Sequence, residues 1–151
     1  EIPLKKNLDT KNLNIQIVNK NNIEHVGGTS INVGNPHVIF FVDSIEDYDL
    51  KKIGPEIENH NYFPEKCNVT LAKVISKKLI KVKVWERGAG LTKACGTAAC
   101  ATAVAAFIKK LAKNDINIKF KEGSLNIKID TDLNVFMRGP VSEIKHTSLE
   151  I

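Results

Sequence analysis

Aromatic residues and arginines are both scarce in this sequence. Aromatic side chains make up 6% of its 151 residues, and only Arg87 and Arg138 are arginines among 22 basic residues. The lysines are spread along the chain rather than clustered among aromatics, so the net charge of +5 does not indicate a nucleic-acid surface. We therefore expect no nucleic acid among its partners.

Long hydrophobic runs are also missing. No stretch approaches the roughly 20 consecutive apolar residues that a membrane-spanning helix needs. The chain begins Glu-Ile-Pro-Leu, with neither an initiator methionine nor the apolar core of an export signal. These absences predict a protein without a membrane partner, and they leave room for a missing N-terminal portion.

Cysteines are few, and their number is odd. Cys67, Cys95 and Cys100 cannot all pair, and their spacing forms no recognisable zinc pattern with the four histidines. We expect reduced thiols, a cytoplasmic location and no metal. A redox pair of Cys95 and Cys100 is an alternative, but five positions along a helix place two side chains on different faces.

Length and composition predict one domain that spans residues 1–151. The hydrophobic fraction of 42% is typical of a globular protein. A chain of this length buries about 70% of its unfolded surface, so we expect it to fold without disulfides or metals.

Hydrophobic patterning predicts an α+β fold. A weak helical period covers residues 50–60, with Asp47 or Asp49 as the N-cap, and Pro55 indicates that this helix is short. The alanine-rich segment 101–108, together with Ala98 and Ala99, predicts a second, narrow helix. Period-two alternation or short apolar runs predict strands at 14–18, 38–42, 68–74, 79–85, 116–120, 125–129 and 134–137. Strands therefore precede and follow one central helix.

A cysteine lies at the entrance of that central helix. The sequence Glu-Arg-Gly-Ala-Gly occupies residues 86–90, and Cys95 follows just before the first helical turn. Unpaired N–H groups and the positive end of the helix dipole favour an anion there, and a thiolate is such an anion. We therefore expect Cys95 to ionise at a lower pH than an ordinary thiol. For Cys67 and Cys100 we favour a buried structural thiol, the commoner role of cysteine.

These residues resemble a known family signature. Residues 86–90, followed by Thr92 and by Ala-Cys-Gly-Thr at 94–97, closely resemble the C-terminal active-site motif of diaminopimelate epimerases. Other motifs of that family occur in the same order along the chain, at 34–37, 63–64, 68–69 and 139–140. Two departures are small: Leu91 stands where the family usually has Glu, and Ala98 where it often has Gly.

The resemblance implies a fold and a reaction. Each of two similar domains is expected to be a curved, mostly antiparallel, barrel-like sheet around a central helix. The implied reaction interconverts LL- and meso-diaminopimelate in lysine biosynthesis without a cofactor. Two cysteines, one from each domain, then act on opposite faces of the α-carbon, one as thiolate base and one as thiol acid.

The resemblance also implies roles for individual residues. It makes Cys95 the catalytic acid or base of this domain, and it assigns tuning of the thiol's proton affinity to His37 and Glu86. Glu86 is implied to contribute to binding through its backbone. The substrate-binding positions implied are Asn35, Asn68, Glu86, Arg87, Gly96 and Thr97.

The family's second cysteine motif, Cys-Gly-Asn-Gly of the N-terminal domain, does not occur in the sequence. We therefore expect the chain to be the C-terminal half of a two-domain epimerase, and we expect it to be inactive without the N-terminal domain. The expected substrate is diaminopimelate. The sequence does not decide whether the protein forms a homodimer. Two alternatives remain: a related proline-racemase-like epimerase for another amino acid, and a non-catalytic ligand-binding or dimerisation module.

Overall fold

A computed structural model of the chain describes residue 4, residues 8–143 and residue 148. The predicted domain boundaries at 1 and 151 lie outside the described residues. Two α-helices occur in this part of the chain, α1 (Leu50–Glu58) and α2 (Gly96–Ile108). The strands are β1 (Ile15–Val18), β2 (Glu24–Gly27), β3 (Thr29–Asn32), β4 (Pro36–Phe41), β5 (Asn68–Ser76), β6 (Leu79–Glu86), β7 (Gly90–Thr92), β8 (Asp115–Lys119), β9 (Ser124–Ile129) and β10 (Val135–Arg138).

Most of the strands form one curled, mixed sheet. Its order is β10-β9-β8-β6-β5-β4-β3, with β7 paired to β6, while β1 and β2 form a separate antiparallel pair. Only β4 with β5 and β6 with β8 pair in parallel within the described sheet. The predicted mostly antiparallel, barrel-like sheet is thus confirmed as half a barrel.

The helix α2 fills the inside of this half-barrel. It packs against β3, β4, β5, β8, β9 and β10. Six of its alanines are fully buried: Ala98, Ala99, Ala101, Ala103, Ala105 and Ala106. Alanine has the highest helix propensity, and its small side chain lets strands approach the helix axis on every side. The predicted central helix is confirmed.

The helix α1 packs on the outer face of the sheet in a second core. Leu50, Ile53 and Ile57 are buried there, together with Phe40 and the residues of β1 that face inward. Asp49 is the N-cap, and its side chain accepts a hydrogen bond from the Lys51 N–H at 3.1 Å. This settles which of the two predicted caps is used.

Some strands were not predicted. The hairpin of β5 and β6 and the later strands β8, β9 and β10 lie where the patterning places them. In contrast β2, β3 and β7 have no counterpart in the prediction. Each has only three or four residues, and Gly27, Gly28 and Gly90 interrupt the hydrophobic alternation that would reveal them.

A single glycine allows α1 to lie directly on the sheet. A Cβ atom built on Gly54 would come within 2.6 Å of the Trp85 ring, at Cγ and Cδ2. These atoms lie near the root of the side chain, so a movement of the far end of the ring does not relieve the contact. The spacing between α1 and β6 therefore depends on glycine at this position.

We expect Gly54→Ala to destabilise the chain although alanine is the better helix former. Overpacking costs up to about 3 kcal/mol, and a contact of 2.6 Å near the root of a ring lies at that upper end, against a gain of about 1 kcal/mol in helix propensity, so we expect a net loss of about 2 kcal/mol. The midpoint of urea unfolding measures it. Gly123→Ala is the control, because no atom lies within 4 Å of its added Cβ. An unchanged or raised midpoint in Gly54→Ala would contradict the contact.

Candidate active site

The predicted site residues meet at one end of the sheet. Residues 35–37 enter β4, Asn68 begins β5, and the turn over 86–90 connects β6 to β7. Because β4 and β5 are parallel and β6 is antiparallel to β5, these segments lie side by side, with His37 opposite Asn68 and Val69 opposite Trp85. The N-terminus of α2 has polar contacts to the same end.

Cys95 is the N-cap residue of α2. Its backbone is extended, with φ −147° and ψ 115°, and only 9% of its surface is exposed. Its Sγ lies 3.4 Å from the Thr97 Oγ1 in the first turn of the helix.

Burial decides the ionisation of this thiol. Desolvation raises the pKa of Cys95, and the nearby Glu86 carboxylate raises it further by its charge and by a hydrogen bond. The Thr97 hydroxyl and the Ala98 backbone N–H act in the opposite direction, since both stabilise the thiolate. The pKa is raised on balance. The expectation that Cys95 ionises at a lower pH than an ordinary thiol is therefore wrong for this chain, because burial outweighs the helix entrance.

His37 is linked to Cys95 through two other side chains. Its Nε2 lies 2.9 Å from the Asn35 Oδ1, and the Asn35 Nδ2 donates to the Thr97 Oγ1 at 3.4 Å. Burial, helped by the charge of Arg87, lowers the pKa of His37 to about 4, so the imidazole is neutral at pH 7. The Asn35 oxygen places the proton on Nε2. A chain of polar contacts thus runs from His37 to the thiol.

The Nδ1 of His37 has no hydrogen-bond partner in the described part of the chain although it is buried. Such an atom loses its hydration without compensation. The expected role of His37 in tuning the thiol stays a prediction, and the geometry gives it an indirect route through Asn35 and Thr97.

The turn over 86–90 presents Arg87 at the surface. Gly88 has φ +76°, a left-handed conformation that glycine adopts without strain, and the Ala89 N–H donates to the Glu86 carbonyl at 3.0 Å. The guanidinium of Arg87 donates through one nitrogen to the Glu65 carbonyl at 2.6 Å. Only one of its five N–H donors is used in that contact.

Asn68 ties this turn to the sheet. Its Oδ1 accepts a hydrogen bond from the backbone N–H of Arg87 at 2.9 Å, and its Nδ2 donates to the Pro36 carbonyl at 3.0 Å. With 4% of its surface exposed, Asn68 is nearly enclosed. It therefore has a supporting role beside the substrate-binding role that the sequence predicts for it.

Three residues at this end of the sheet, Met137, Glu58 and Trp85, were not identified from the sequence. A Cβ on Gly96 would lie 3.1 Å from the sulfur of Met137, so this half-exposed side chain covers the start of α2. Glu58 accepts a hydrogen bond from the Trp85 Nε1 at 2.7 Å. Position 58 lies on the buried face of α1, one residue after the buried Ile57. This helical periodicity is the sequence signal that points to a buried Glu58.

The other two cysteines have structural positions. Cys67 is fully buried, and its thiol donates to the Ile57 carbonyl at 3.7 Å. Burial raises the pKa of Cys67 strongly, and it raises that of the half-buried Cys100 as well. Both thiols are free. The buried position of Cys67 fits a structural residue, whereas Cys100 is only partly buried, so its structural role stays a prediction.

Two cavities occur in the described part of the chain, on other segments than the start of α2. One, of about 790 Å³, is lined mainly by β1 and α1, and the other, of about 620 Å³, borders β6, β7 and the end of β8. Neither is lined by Cys95.

Among the described residues, no helix is long and apolar enough to cross a bilayer.

Comparison with known proteins identifies related sequences. A family model described as diaminopimelate epimerase matches residues 29–144. A protein named diaminopimelate epimerase from Pelagibacter ubique is 65% identical over 151 residues, which cover all of this chain and 55% of that protein. One of the same name from Methylorubrum extorquens is 45% identical over 143 residues, covering 93% of this chain and 48% of that protein. The chain thus spans about half the length of these relatives.

A solved structure shares the fold. The crystal structure of a phenazine biosynthesis protein of the PhzF family from Enterococcus faecalis aligns with a TM-score of 0.50 at 15% sequence identity. The alignment covers 65% of this chain and 35% of that one. At this identity the match concerns architecture alone.

We expect alkylation of Cys95 by iodoacetamide to titrate at a higher pH than alkylation of an unstructured cysteine peptide, because the thiolate is the reactive form and burial raises the pKa. Glu86→Gln is expected to move the titration to lower pH and Thr97→Val to higher pH. Mass spectrometry of the peptide that contains Cys95 measures the rates. Glu24→Gln, which removes a carboxylate from β2, is the control. A titration at or below the peptide's pH would contradict the effect of burial.

Proposed function

The chain belongs to the diaminopimelate epimerase family, and we propose that it forms the C-terminal half of a two-domain, cofactor-independent enzyme that interconverts LL- and meso-diaminopimelate. The observation that carries the proposal is the position of Cys95. Its sulfur lies at the N-terminus of α2, connected to Asn35 through Thr97, at the end of the sheet that also presents Arg87.

In the proposed reaction, Cys95 exchanges a proton with one face of the substrate α-carbon. A thiolate on one side removes the α-proton, and the C–H bonding pair stays on the carbon as a carbanion conjugated with the carboxylate. A thiol on the other side donates its proton, so a new C–H bond forms with inverted configuration. The raised pKa of Cys95 keeps its resting form at neutral pH a thiol, which suits the proton donor in this direction. In the reverse direction the thiolate that this step leaves on Cys95 is the base.

The start of α2 provides the anion site for the α-carboxylate. The first N–H groups of a helix have no partner within the helix, and the positive end of its dipole attracts an anion. We assign these donors to Gly96 and Thr97. In the transition state they stabilise charge that spreads from the α-carbon into the carboxylate, a contribution that this reaction needs because no cofactor absorbs the charge.

The distal end of the substrate is assigned to Asn35, Asn68 and Arg87. A guanidinium offers a planar pair of N–H donors that matches a carboxylate, and the amides complement an amino-acid group. Arg87 is exposed on its turn, so its side chain is accessible to a ligand. A substrate with a second amino-acid group at its distal end fits this set of donors and acceptors.

The opposing cysteine is proposed to come from an N-terminal domain. The chain has no Cys-Gly-Asn-Gly sequence, and the named relatives are about twice its length. Two copies of Cys95 facing one substrate are a poor substitute, because a twofold site treats its two faces identically while an amino acid presents different groups to each.

The free thiols favour a cytoplasmic enzyme. A homodimer stays a prediction.

We expect this chain alone not to exchange the α-hydrogen of LL-diaminopimelate at an enzymatic rate, because it carries one of the two proposed proton-transfer groups. Incubation in D2O followed by NMR or mass spectrometry measures deuterium incorporation at the α-carbon. The two-domain protein is the positive control and is expected to exchange and epimerise. Rapid exchange by the chain alone would contradict the need for a second domain.

In the two-domain protein we expect Cys95→Ser to lower kcat for epimerisation by about 100- to 10,000-fold, the range of a general acid or base. The hydroxyl of serine is a far weaker acid, and the change in volume is small, so the fold is retained. Cys100→Ser, the same substitution in the same helix, is the control and is expected to keep most of the activity. If Cys95→Ser matches the parent enzyme, Cys95 is not a proton-transfer group.

A further inference from the structure

Glu58 is a buried carboxylate at the end of α1. It is 6% exposed, and it is the only acidic side chain that is buried in the described part of the chain. Removing a carboxylate from water is unfavourable unless hydrogen bonds or an opposite charge compensate. Its ion pair with Lys66 is loose and largely solvated: the Lys66 Nζ lies 3.9 Å away, on a side chain that is 55% exposed. Hydrogen bonds therefore have to account for the burial.

The two oxygens of Glu58 bind the two sides of the turn that carries Glu86 and Arg87. Oε2 accepts from the Trp85 indole N–H at 2.7 Å, and Oε1 accepts from the Gly88 backbone N–H at 3.1 Å. Trp85 directly precedes Glu86, and Gly88 directly follows Arg87. A single carboxylate thus connects the residues immediately before and after this pair.

Close packing makes this connection rigid. Gly54, one helical turn before Glu58, brings α1 against the Trp85 ring, and a Cβ on Gly90 would lie 3.5 Å from the far end of the same ring. On the opposite side of the turn, Asn68 accepts from the Arg87 backbone N–H. The backbone of the turn is therefore held from α1 and from the start of β5 together.

We propose that Glu58 is a positioning residue for substrate binding: it holds the turn over 86–90 so that Arg87 is presented to the distal carboxylate of the substrate. Glu58 itself does not contact the substrate, and it acts through the Gly88 N–H and the Trp85 indole. The inference rests on the proposed function, because it assigns Arg87 its binding role.

The two contacts require a carboxylate of this length. Glutamine has the same shape, but one of its two terminal atoms is an NH2 group, which cannot accept a hydrogen bond, so one of the two contacts is lost. Aspartate keeps the charge but is one methylene shorter, so it cannot reach both N–H groups. The two substitutions therefore separate the geometry of Glu58 from its charge.

The test is made in the two-domain protein with diaminopimelate as substrate. We expect both Glu58→Gln and Glu58→Asp to lower kcat/KM by about 10- to 100-fold, mainly through a higher KM, because the distal carboxylate is bound equally in the ground state and the transition state. A merely structural role would reduce the fraction of folded enzyme and lower apparent kcat at unchanged KM. Glu56→Gln removes a charge from the exposed face of α1 and is expected to match the parent enzyme.

A second measurement follows the contact directly. The indole N–H resonance of Trp85, assigned by its loss in Trp85→Phe, is expected to shift in both Glu58 variants and to stay unchanged in Glu56→Gln. Hydrogen exchange of the Gly88 amide is expected to become faster in the Glu58 variants alone.

The outcomes separate this inference from the proposed function. A parent protein that does not epimerise diaminopimelate refutes the proposed function before any variant is compared. If the parent is active and Glu58→Gln keeps its KM, the positioning role is wrong while the proposed function stands. If kcat alone falls, with an unchanged KM and an unchanged Gly88 exchange rate, the positioning role is also wrong.

Discussion

The close approach of the sheet to an alanine-rich helix is the constraint on which the structure depends. Because α2 is narrow on every side, the strands from β3 to β10 can curl around it, and its N-terminus emerges at the end of the sheet where β4 and β5 begin. That geometry puts Cys95 beside the entrance of β4 and the turn after β6. Larger side chains inside α2 would push the strands outward and separate the sulfur from the groups that contact it.

The site shows two opposing effects on one thiol, and their balance has a chemical meaning. The helix N-terminus and the Thr97 hydroxyl favour the thiolate, while burial and the Glu86 carboxylate favour the thiol. An anion bound at Gly96 would also favour the thiol, since like charges repel. In the proposed reaction this bias favours the role of proton donor. The neutral His37 adds polarity to the network without adding a charge.

Much of the fold was predictable, and the exceptions have physical reasons. Regular alternation revealed β5 and β6, and alanine content revealed α2. The strands β2, β3 and β7 have only three or four residues each, too few for a periodic signal. The motif located Cys95, but its pKa depends on burial by strands far away in sequence. Glu58 was missed because glutamate is almost always exposed, and only its two N–H partners, brought close by the fold, explain its burial.

The parallel pairing of β4 with β5 has a consequence for how the protein folds. His37 and Asn68 are neighbours across this pair, although a helix and a long connection separate them in the sequence. Contacts between distant segments form only after the entropy of closing the intervening loop is overcome, so such topologies fold slowly. The residues at this end of the sheet come from segments as far apart as 35 and 97. A nascent or partly folded chain therefore contains the sequence motif, but its site residues are not yet close together. The site forms only when the distant segments have paired.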